Sequence, residues 1–500
     1  MNELPIEQQF AVVLYGHTLK YESECILKLF IPATRFQFFY DDISPLNKCQ
    51  RTAFLQLRQG KEYTWFYCAV SLYGKRLRCA EKLEKCNPET DKAKCEYQFS
   101  KMLFSLLEKL TGITVPWGLL TGIRPVRKVL PLIEEGKTKE EIFNILHNTY
   151  KIAEEKMELV YKTACVQKPL LEQTPKNSVG LYVSIPFCPT RCSYCSFVSH
   201  SVQQAKKLMP DYIRLLCKEL EIWAKIVKDL KLSIDTVYFG GGTPTSLEAY
   251  DLQKLLETIQ NNFDLSHVRE YCVEAGRPDT ITAEKLAVLR EYGVERISIN
   301  PQTMNDEVLK NIGRCHTSAD IIDSYNLARK YDFSNINMDL IAGLPGDTPE
   351  QFHSTLEKVI ALSPDSITVH TLTLKRAANL YADGMSQINN PVREMVRDSV
   401  NMLPKYDYLP YYMYRQKNTI DNQENVGYAR AGKESFYNML IMDETQTILG
   451  AGCAASTKLV EPNGRITRVH NYKFPYEYIA QFDQLMKKKE QVYEVYSHII

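Results

Sequence analysis

Between residues 181 and 372, short apolar runs alternate with amphipathic ones, and this alternation limits the fold more than any other feature of the chain. The strand-like runs are 181–185, 234–239, 270–274, 296–300, 335–341 and 366–372. The helix-like runs are 210–231, 246–262, 282–292, 318–331 and 349–362. Strands that alternate with helices at this spacing predict right-handed crossovers and a parallel sheet. Six such strands suit an open (β/α)6 partial barrel better than a closed eight-stranded one. Sheets of this kind bind ligands outside the carboxyl ends of their strands. The cysteine-bearing loop after Ile185, the Gly240–Thr245 segment, Glu274, Gln302 and Asp339 all fall at or just past predicted strand ends.

The loop after Ile185 carries Cys188, Cys192 and Cys195 in a C-x3-C-x2-C pattern. Zinc sites pair their cysteines and use four protein ligands, and no second pair follows here. Three thiolates can hold three irons of a cubane iron–sulfur cluster and leave the fourth iron open. Gly240-Gly-Gly-Thr-Pro-Thr245 follows a predicted strand, and such a glycine run lets backbone approach a ligand closely.

The flanks read differently. Phe10–Tyr15, Cys25–Ile31, Arg35–Tyr40 and Thr64–Val70 predict strands, while 98–111 and 138–168 have helical periodicity. Residues 168–177, with two prolines and two lysines, read as a linker. The expected organisation is an α+β domain over 1–175, a barrel over 176–395 and a small C-terminal domain over 396–500. A net charge of +1 gives no global reason to expect nucleic acid or an anionic surface. No apolar run reaches membrane-spanning length, and no secretory signal opens the chain. Fourteen cysteines then point to a reducing, cytoplasmic setting, and an exposed cluster to an anaerobic one.

Leu181-Tyr-Val-Ser-Ile-Pro-Phe-Cys-Pro-Thr-Arg-Cys-Ser-Tyr-Cys195, Gly240–Thr245, Gly313-Arg-Cys-His-Thr317 and Asp339–Thr348 occur in an order that resembles the radical S-adenosylmethionine (SAM) enzymes. Over roughly 178–480 the chain is similar to the oxygen-independent coproporphyrinogen III oxidase (coproporphyrinogen dehydrogenase) family. Its extra N-terminal region resembles the HemZ-type branch. The resemblance implies a radical SAM partial barrel, a [4Fe-4S] cluster on Cys188, Cys192 and Cys195, and one SAM or two. The implied chemistry is reductive cleavage of SAM to a 5′-deoxyadenosyl radical. That radical then drives oxidative decarboxylation of coproporphyrinogen III propionates to vinyl groups. By the same resemblance, Tyr182, Gly241, Glu274 and Thr373 correspond to contacts of the first SAM. Tyr194, Gly242, Thr243, Gln302, Arg314 and Asp339 correspond to contacts of a second. The implied partners are a tetrapyrrole and a reducing donor such as flavodoxin or ferredoxin. The protein is expected to act as a monomer, without nucleic acid or membrane.

The sequence departs from the family pattern in two places. Ser184 stands where a histidine is usual, and Phe197 stands where the best-characterised branch has a further cysteine. A sibling branch of haem chaperones carries a His-Asn-x-x-Tyr-Trp segment, and Glu434–Met439 in the comparable stretch does not match it. A haem-binding chaperone and a radical SAM reaction on another tetrapyrrole such as haem are the alternative readings. His316 and His370 read as pocket or structural histidines. Arg277, Lys375, Arg376, Arg415 and Arg430 are candidates for propionate binding by position alone. Tyr406–Tyr414 is a candidate aromatic wall. Arg124, Arg127 and Lys128 could bind an acidic group or dock on the barrel.

Overall fold

The computed structural model describes residues 10–31, 35–122, 124–195, 200–373, 391–416, 419–461 and 463–497. The chain forms two compact units, one of residues 1–123 and 135–158, the other of 124–134 and 159–500. Residues 124–134 and 159–175, expected in the N-terminal domain, therefore group with the second unit.

The first unit holds five strands: β1 (Phe10–Tyr15), β2 (Phe36–Tyr40), β3 (Arg51–Gln59), β4 (Tyr63–Leu72) and β5 (Lys75–Glu84). Their order in the sheet is β2-β1-β3-β4-β5. Strand β1 runs parallel to both its neighbours, and β3, β4 and β5 form an antiparallel meander. Two helices, α1 (Tyr21–Phe30) and α2 (Lys92–Thr111), bury their apolar faces with one face of this sheet. The strand expected at Cys25–Ile31 is instead most of α1. Its residues favour strands individually, but Ser23, Ile26, Leu27 and Phe30 fall on one buried helical face. Acidic Glu22 and Glu24 in the first turn and Lys28 in the last favour the helix further.

The second unit is built on one eleven-stranded sheet. Its centre comprises β6 (Ser178–Ile185), β9 (Ser233–Gly241), β10 (Glu270–Gly276), β11 (Arg296–Ile299), β12 (Asn335–Ala342) and β13 (Ser366–Thr371). These six are parallel and lie in the order β13-β12-β11-β10-β9-β6. Between β6 and β9, a two-residue ladder joins β7 (Phe187–Cys188) to β8 (His200–Ser201). The crossovers are α3 (Met209–Asp229), α4 (Ala249–Asn262), α5 (Ala283–Glu291), α6 (Ser318–Lys330) and α7 (Pro349–Leu362). Two starts are set locally by capping boxes, Thr317 with Asp320 and Thr348 with Gln351, the latter with Pro349 in the first turn.

Residues 396–500 do not stand apart from the barrel, because their strands extend its sheet at both ends. On one side lie β14 (Leu409–Arg415) and β15 (Glu424–Ala429), the latter antiparallel to β13. On the other side β16 (Thr447–Ala451) runs parallel to β6, followed by β17 (Ser456–Val460) and β18 (Ile466–His470). On β14 the Tyr412 ring lies against Gly427, where an added Cβ would fall 1.8 Å from a ring carbon. Residues 168–172, expected as linker, are the last residues of helix Glu154–Glu172.

Two buried polar groups brace this sheet. At the amino-terminal ends of the strands, Arg296 donates to Asn335 at 2.6 Å, Ser366 at 2.7 Å and the Lys433 carbonyl at 2.9 Å. Glu270 accepts from Ser435 and from the Tyr437 backbone at the start of helix α8 (Phe436–Asp443). Behind β6 and β16, Glu219 of α3 is fully buried and pairs with equally buried Lys489 at 2.6 Å. The Glu219 carboxylate also accepts from the Gly452 N–H, Asn471 and Tyr478. Removing one partner of such a pair leaves an uncompensated buried charge. Lys489→Met should therefore cost about 3–5 kcal/mol, and Lys489→Met with Glu219→Leu should cost less than the single change, both read by urea unfolding.

Candidate functional site

The expected site residues gather at the carboxyl ends of the parallel strands. The Gly242 N–H donates to the Ile185 carbonyl at 2.7 Å, and the Thr243 N–H to the Phe187 carbonyl at 2.8 Å. The glycine loop is thus laced to the segment that delivers the first cysteine. Gly241 has φ +107°, in a region that L side chains rarely adopt. A Cβ on Gly242 would meet the Phe187 and Ile185 carbonyl oxygens at 2.6 and 2.9 Å. The Thr243 hydroxyl lies 3.5 Å from Cys188 Sγ.

Two arginines hold the rest of the cysteine loop. Arg277, buried after β10, donates to Thr190 Oγ1 at 2.7 Å and to the Thr190 carbonyl at 3.2 Å. It also forks onto Asp279 at 2.9 and 2.8 Å. Burial opposes ionisation of Asp279, yet His316 and Arg277 more than offset it and hold its carboxyl well below the ordinary range. Arg277 is therefore occupied by the loop and Asp279, and the propionate role considered for it is not supported. Arg314 donates to Tyr194 Oη at 3.2 Å and to the Asn300 carbonyl, and it lies beside Cys192. Backbone contacts from Ser193 to Ile312 and a Thr190 hydroxyl bond to Gly313 complete this cradle. Burial pushes the Tyr194 phenol up, so it stays a neutral hydrogen-bonding group.

Inside the sheet, Tyr182 and Tyr238 sit opposite each other in register and stack at 6.3 Å. Tyr437 of α8 stacks on Tyr238 at 4.2 Å. The Tyr238 hydroxyl donates to Glu274 at 2.6 Å. Burial, helped by the charge of Asp339, pushes the Glu274 carboxyl up to about 7, against the pull of Tyr238 and His370. Burial also works against Asp339, but His370, Asn337 and Thr368 outweigh it and hold this carboxyl below its usual value. Asn337 donates to Asp339 at 2.7 Å, and His370 Nε2 lies 3.8 Å from its other oxygen. The other ring nitrogen of His370 is 3.3 Å from Tyr414 Oη. Gln302 has φ +69° and donates its N–H to the Asp339 carbonyl at 2.9 Å. Gln302 Oε1, Asn300 Oδ1 and Arg314 Nε are buried without a hydrogen-bond partner among the described residues. Buried polar atoms are rarely left so, and a polar ligand over these three would satisfy them.

Thr373 lies just past the end of β13, bridged to Thr419, and among the described residues its hydroxyl bonds the Thr371 carbonyl. Arg430 donates to Ser363 at the opposite end of the strands, and Arg415 is buried beside Glu424 and the Asn422 carbonyl. Arg124 pairs with Glu444 at the end of α8, which favours docking over ligand binding. Phe197, Lys375 and Arg376 lie outside the described residues. Sequence reasoning missed Tyr238, and it read His370 as a pocket or structural histidine without naming its partner. Both were recoverable from strand parity, since residues two apart share a face: Tyr238 with Gly240, and His370 with Thr368.

Among the described residues, no three His, Cys, Asp or Glu side chains converge as they would around one metal ion. A cubane asks for something else, one thiolate at each of three separate irons. Three thiols on one braced loop, with Arg314 nearby to offset negative charge, fit that requirement.

A parallel strand–helix sheet with a three-cysteine loop and a glycine loop at its carboxyl edge defines a radical SAM protein. The profile of the radical SAM superfamily matches residues 182–359. Over 406 residues the chain is 41% identical to the oxygen-independent coproporphyrinogen-III oxidase-like protein HemZ of Bacillus subtilis (strain 168), covering 79% of this chain and 81% of that one. It is also 33% identical over 276 residues to the haem chaperone HemW of the same organism, covering 54% and 69%. The solved coproporphyrinogen III oxidase HemN of Escherichia coli shares the fold, with TM-score 0.50 and 24% identity over 65% of this chain and 73% of that one. The chain belongs to the radical SAM family of oxygen-independent coproporphyrinogen-III oxidase-like proteins. Membership implies a [4Fe-4S] cluster and SAM. No helix among the described residues is long and apolar enough to cross a membrane.

The raised Glu274 carboxyl has a thermodynamic signature. The folded state keeps this proton to about pH 7, whereas the unfolded chain releases it in the ordinary carboxylate range. Its contribution to stability is full below that ordinary range and declines as pH rises toward 7. Glu274→Gln should flatten this part of the curve, so that melting temperatures measured from pH 5 to pH 8 fall less with pH than in the wild type.

Proposed function

We propose that the protein is an anaerobic oxidative decarboxylase of coproporphyrinogen III, yielding protoporphyrinogen IX. The observation that carries this reading is the convergence at one sheet edge of the three-thiol loop, the glycine loop and the acceptors Glu274, Gln302 and Asp339. The cluster and SAM, when bound, supply abstraction of an unactivated hydrogen. Cys188, Cys192 and Cys195 would hold the cluster. The backbone of Gly241, with Tyr182, Glu274 and Thr373, would orient the SAM on it. Tyr194, Gly242, Thr243, Gln302, Arg314 and Asp339 would line the adjoining space and receive a second polar ligand.

In each round the propionate loses a hydrogen atom from its β-carbon. The bond to the carboxylate then breaks, and the products are a vinyl group, carbon dioxide and one electron. That electron passes to an acceptor outside the chain, and the initiating electron comes from a donor of the flavodoxin or ferredoxin type. Tyr412 and Tyr414 provide an aromatic wall of the kind a tetrapyrrole needs. The relatives' names support a tetrapyrrole as substrate class. The haem-chaperone reading finds less support. Ser435 and Tyr437, in the stretch comparable to the chaperone motif, are committed to Glu270 and the interior stack.

The test is anaerobic. The cluster is reconstituted, dithionite, SAM and coproporphyrinogen III are added, and products are read by mass spectrometry. Protoporphyrinogen and 5′-deoxyadenosine should both form, and both should vanish in Cys192→Ala. Gly242→Val should retain the iron but lose more than about tenfold in SAM affinity, since its side chain collides with two carbonyls of the cysteine-bearing segment. 5′-Deoxyadenosine without a vinyl product would overturn the substrate and direct attention to haem.

A further inference from the structure

The first unit has a sheet face that neither helix covers. On β4, Phe66, Cys68, Val70 and Leu72 enter the core with the helices, so Tyr63, Trp65 and Tyr67 point the other way. Strand register extends this face. Arg58, Trp65 and Lys82 form one row, Gln56, Tyr67 and Ala80 the next, and Phe54, Ala69 and Arg78 a third. Tyr15 of β1 lies beside Gln56.

Two properties coincide here. The aromatic rings form a track across β1, β3 and β4. Tyr15 and Phe54 are 6.3 Å apart between centroids, and Phe54 and Tyr67 5.8 Å. Trp65 is 49% exposed, Tyr63 38% and Tyr15 37%, so three large rings face solvent on one surface. Around them stand Arg58, Arg76, Arg78 and Lys82, none of which makes an ion pair with a described residue. Lys82 lies over the Tyr63 and Trp65 rings at 4.3 and 5.7 Å. Residues 51–85 hold eight Lys or Arg against three Glu, an imbalance hidden by the whole-chain charge of +1.

We infer that this face binds single-stranded nucleic acid. Unstacked bases lie on exposed rings while unpaired cations follow the phosphates, which is how sheet platforms take up single strands. A duplex keeps its base faces stacked and offers the rings nothing. A small planar anion needs a concave pocket that buries most of its surface, and this face is an open sheet. Charge on β5 alone could be a guard against edge pairing. That account does not put rings on three strands inside the edge.

The experiment uses the full-length protein and fluorescence anisotropy with labelled 12-nucleotide RNA and DNA strands and a 12-base-pair duplex. Single strands should bind, and the duplex at least about tenfold more weakly. Trp65→Ala and Tyr67→Ala should each weaken single-strand binding roughly 5- to 100-fold. Arg76→Gln with Arg78→Gln should reduce the slope of log affinity against log salt by about 1.4, or about 0.7 for each phosphate no longer neutralised. SAM cleavage by these variants should stay at the wild-type rate, which verifies that the chain remains folded. Three results would each overturn the inference: no binding at 50 mM salt; equal binding of heparin, with Trp65→Ala and Tyr67→Ala without effect; or a dimer in sedimentation that Trp65→Ala dissolves.

Discussion

Placement of the cysteine-bearing strand depends on one buried carboxylate. Glu219 draws together α3, the β16–β17 turn, Asn471, Tyr478 and Lys489 of the last helices. The same turn reaches β6 through Tyr212, whose hydroxyl accepts from the Cys453 N–H and donates to the Ser184 carbonyl at 2.7 Å. Gly452 has φ +90°, and a Cβ there would lie 2.6 Å from both the Ser184 carbonyl oxygen and the Tyr212 hydroxyl. Three residues beyond Ser184 the chain enters the cysteine loop. The C-terminal hundred residues thus act on the site by fixing the end of the strand that feeds it.

This arrangement also gives Ser184 a physical setting. Its side chain is buried, and its hydroxyl would sit 2.9 Å from a Cβ on Gly241. The space between the glycine loop and the Tyr212 contact is small. An imidazole at this position would need it enlarged. A hydroxyl fits while leaving both glycines in contact with the cysteine-bearing segment. Deeper in the interior, the carboxyl groups of Glu274 and Asp339 are driven in opposite directions by their surroundings.

Much of the barrel was legible in the sequence because buried parallel strands are written as apolar runs and the helices between them as amphipathic ones. Each predicted central strand and helix has a counterpart within a few residues. What was not legible has physical causes. Cys25–Ile31 is strand-like residue by residue, and only the four-residue repeat of its buried side chains marks a helix. Strands β3 and β5 are edged with charge, which dilutes the apolar signal. Arg277 reads as a cation awaiting an anion until the fold brings Asp279 and Thr190 against it. Residues 396–500 read as a separate domain because no sequence pattern tells a strand that a sheet already exists beside it.

The contact between Tyr412 and Gly427 has a mechanical consequence. The ring rests on bare backbone, with no side chain between them that could change rotamer and give way. Tyr412 also packs near Tyr411 and Tyr414. This wall of the interior therefore behaves as a rigid backstop. No side-chain rotation alone can open space here: widening this part of the sheet requires the backbones of β14 and β15 to move apart.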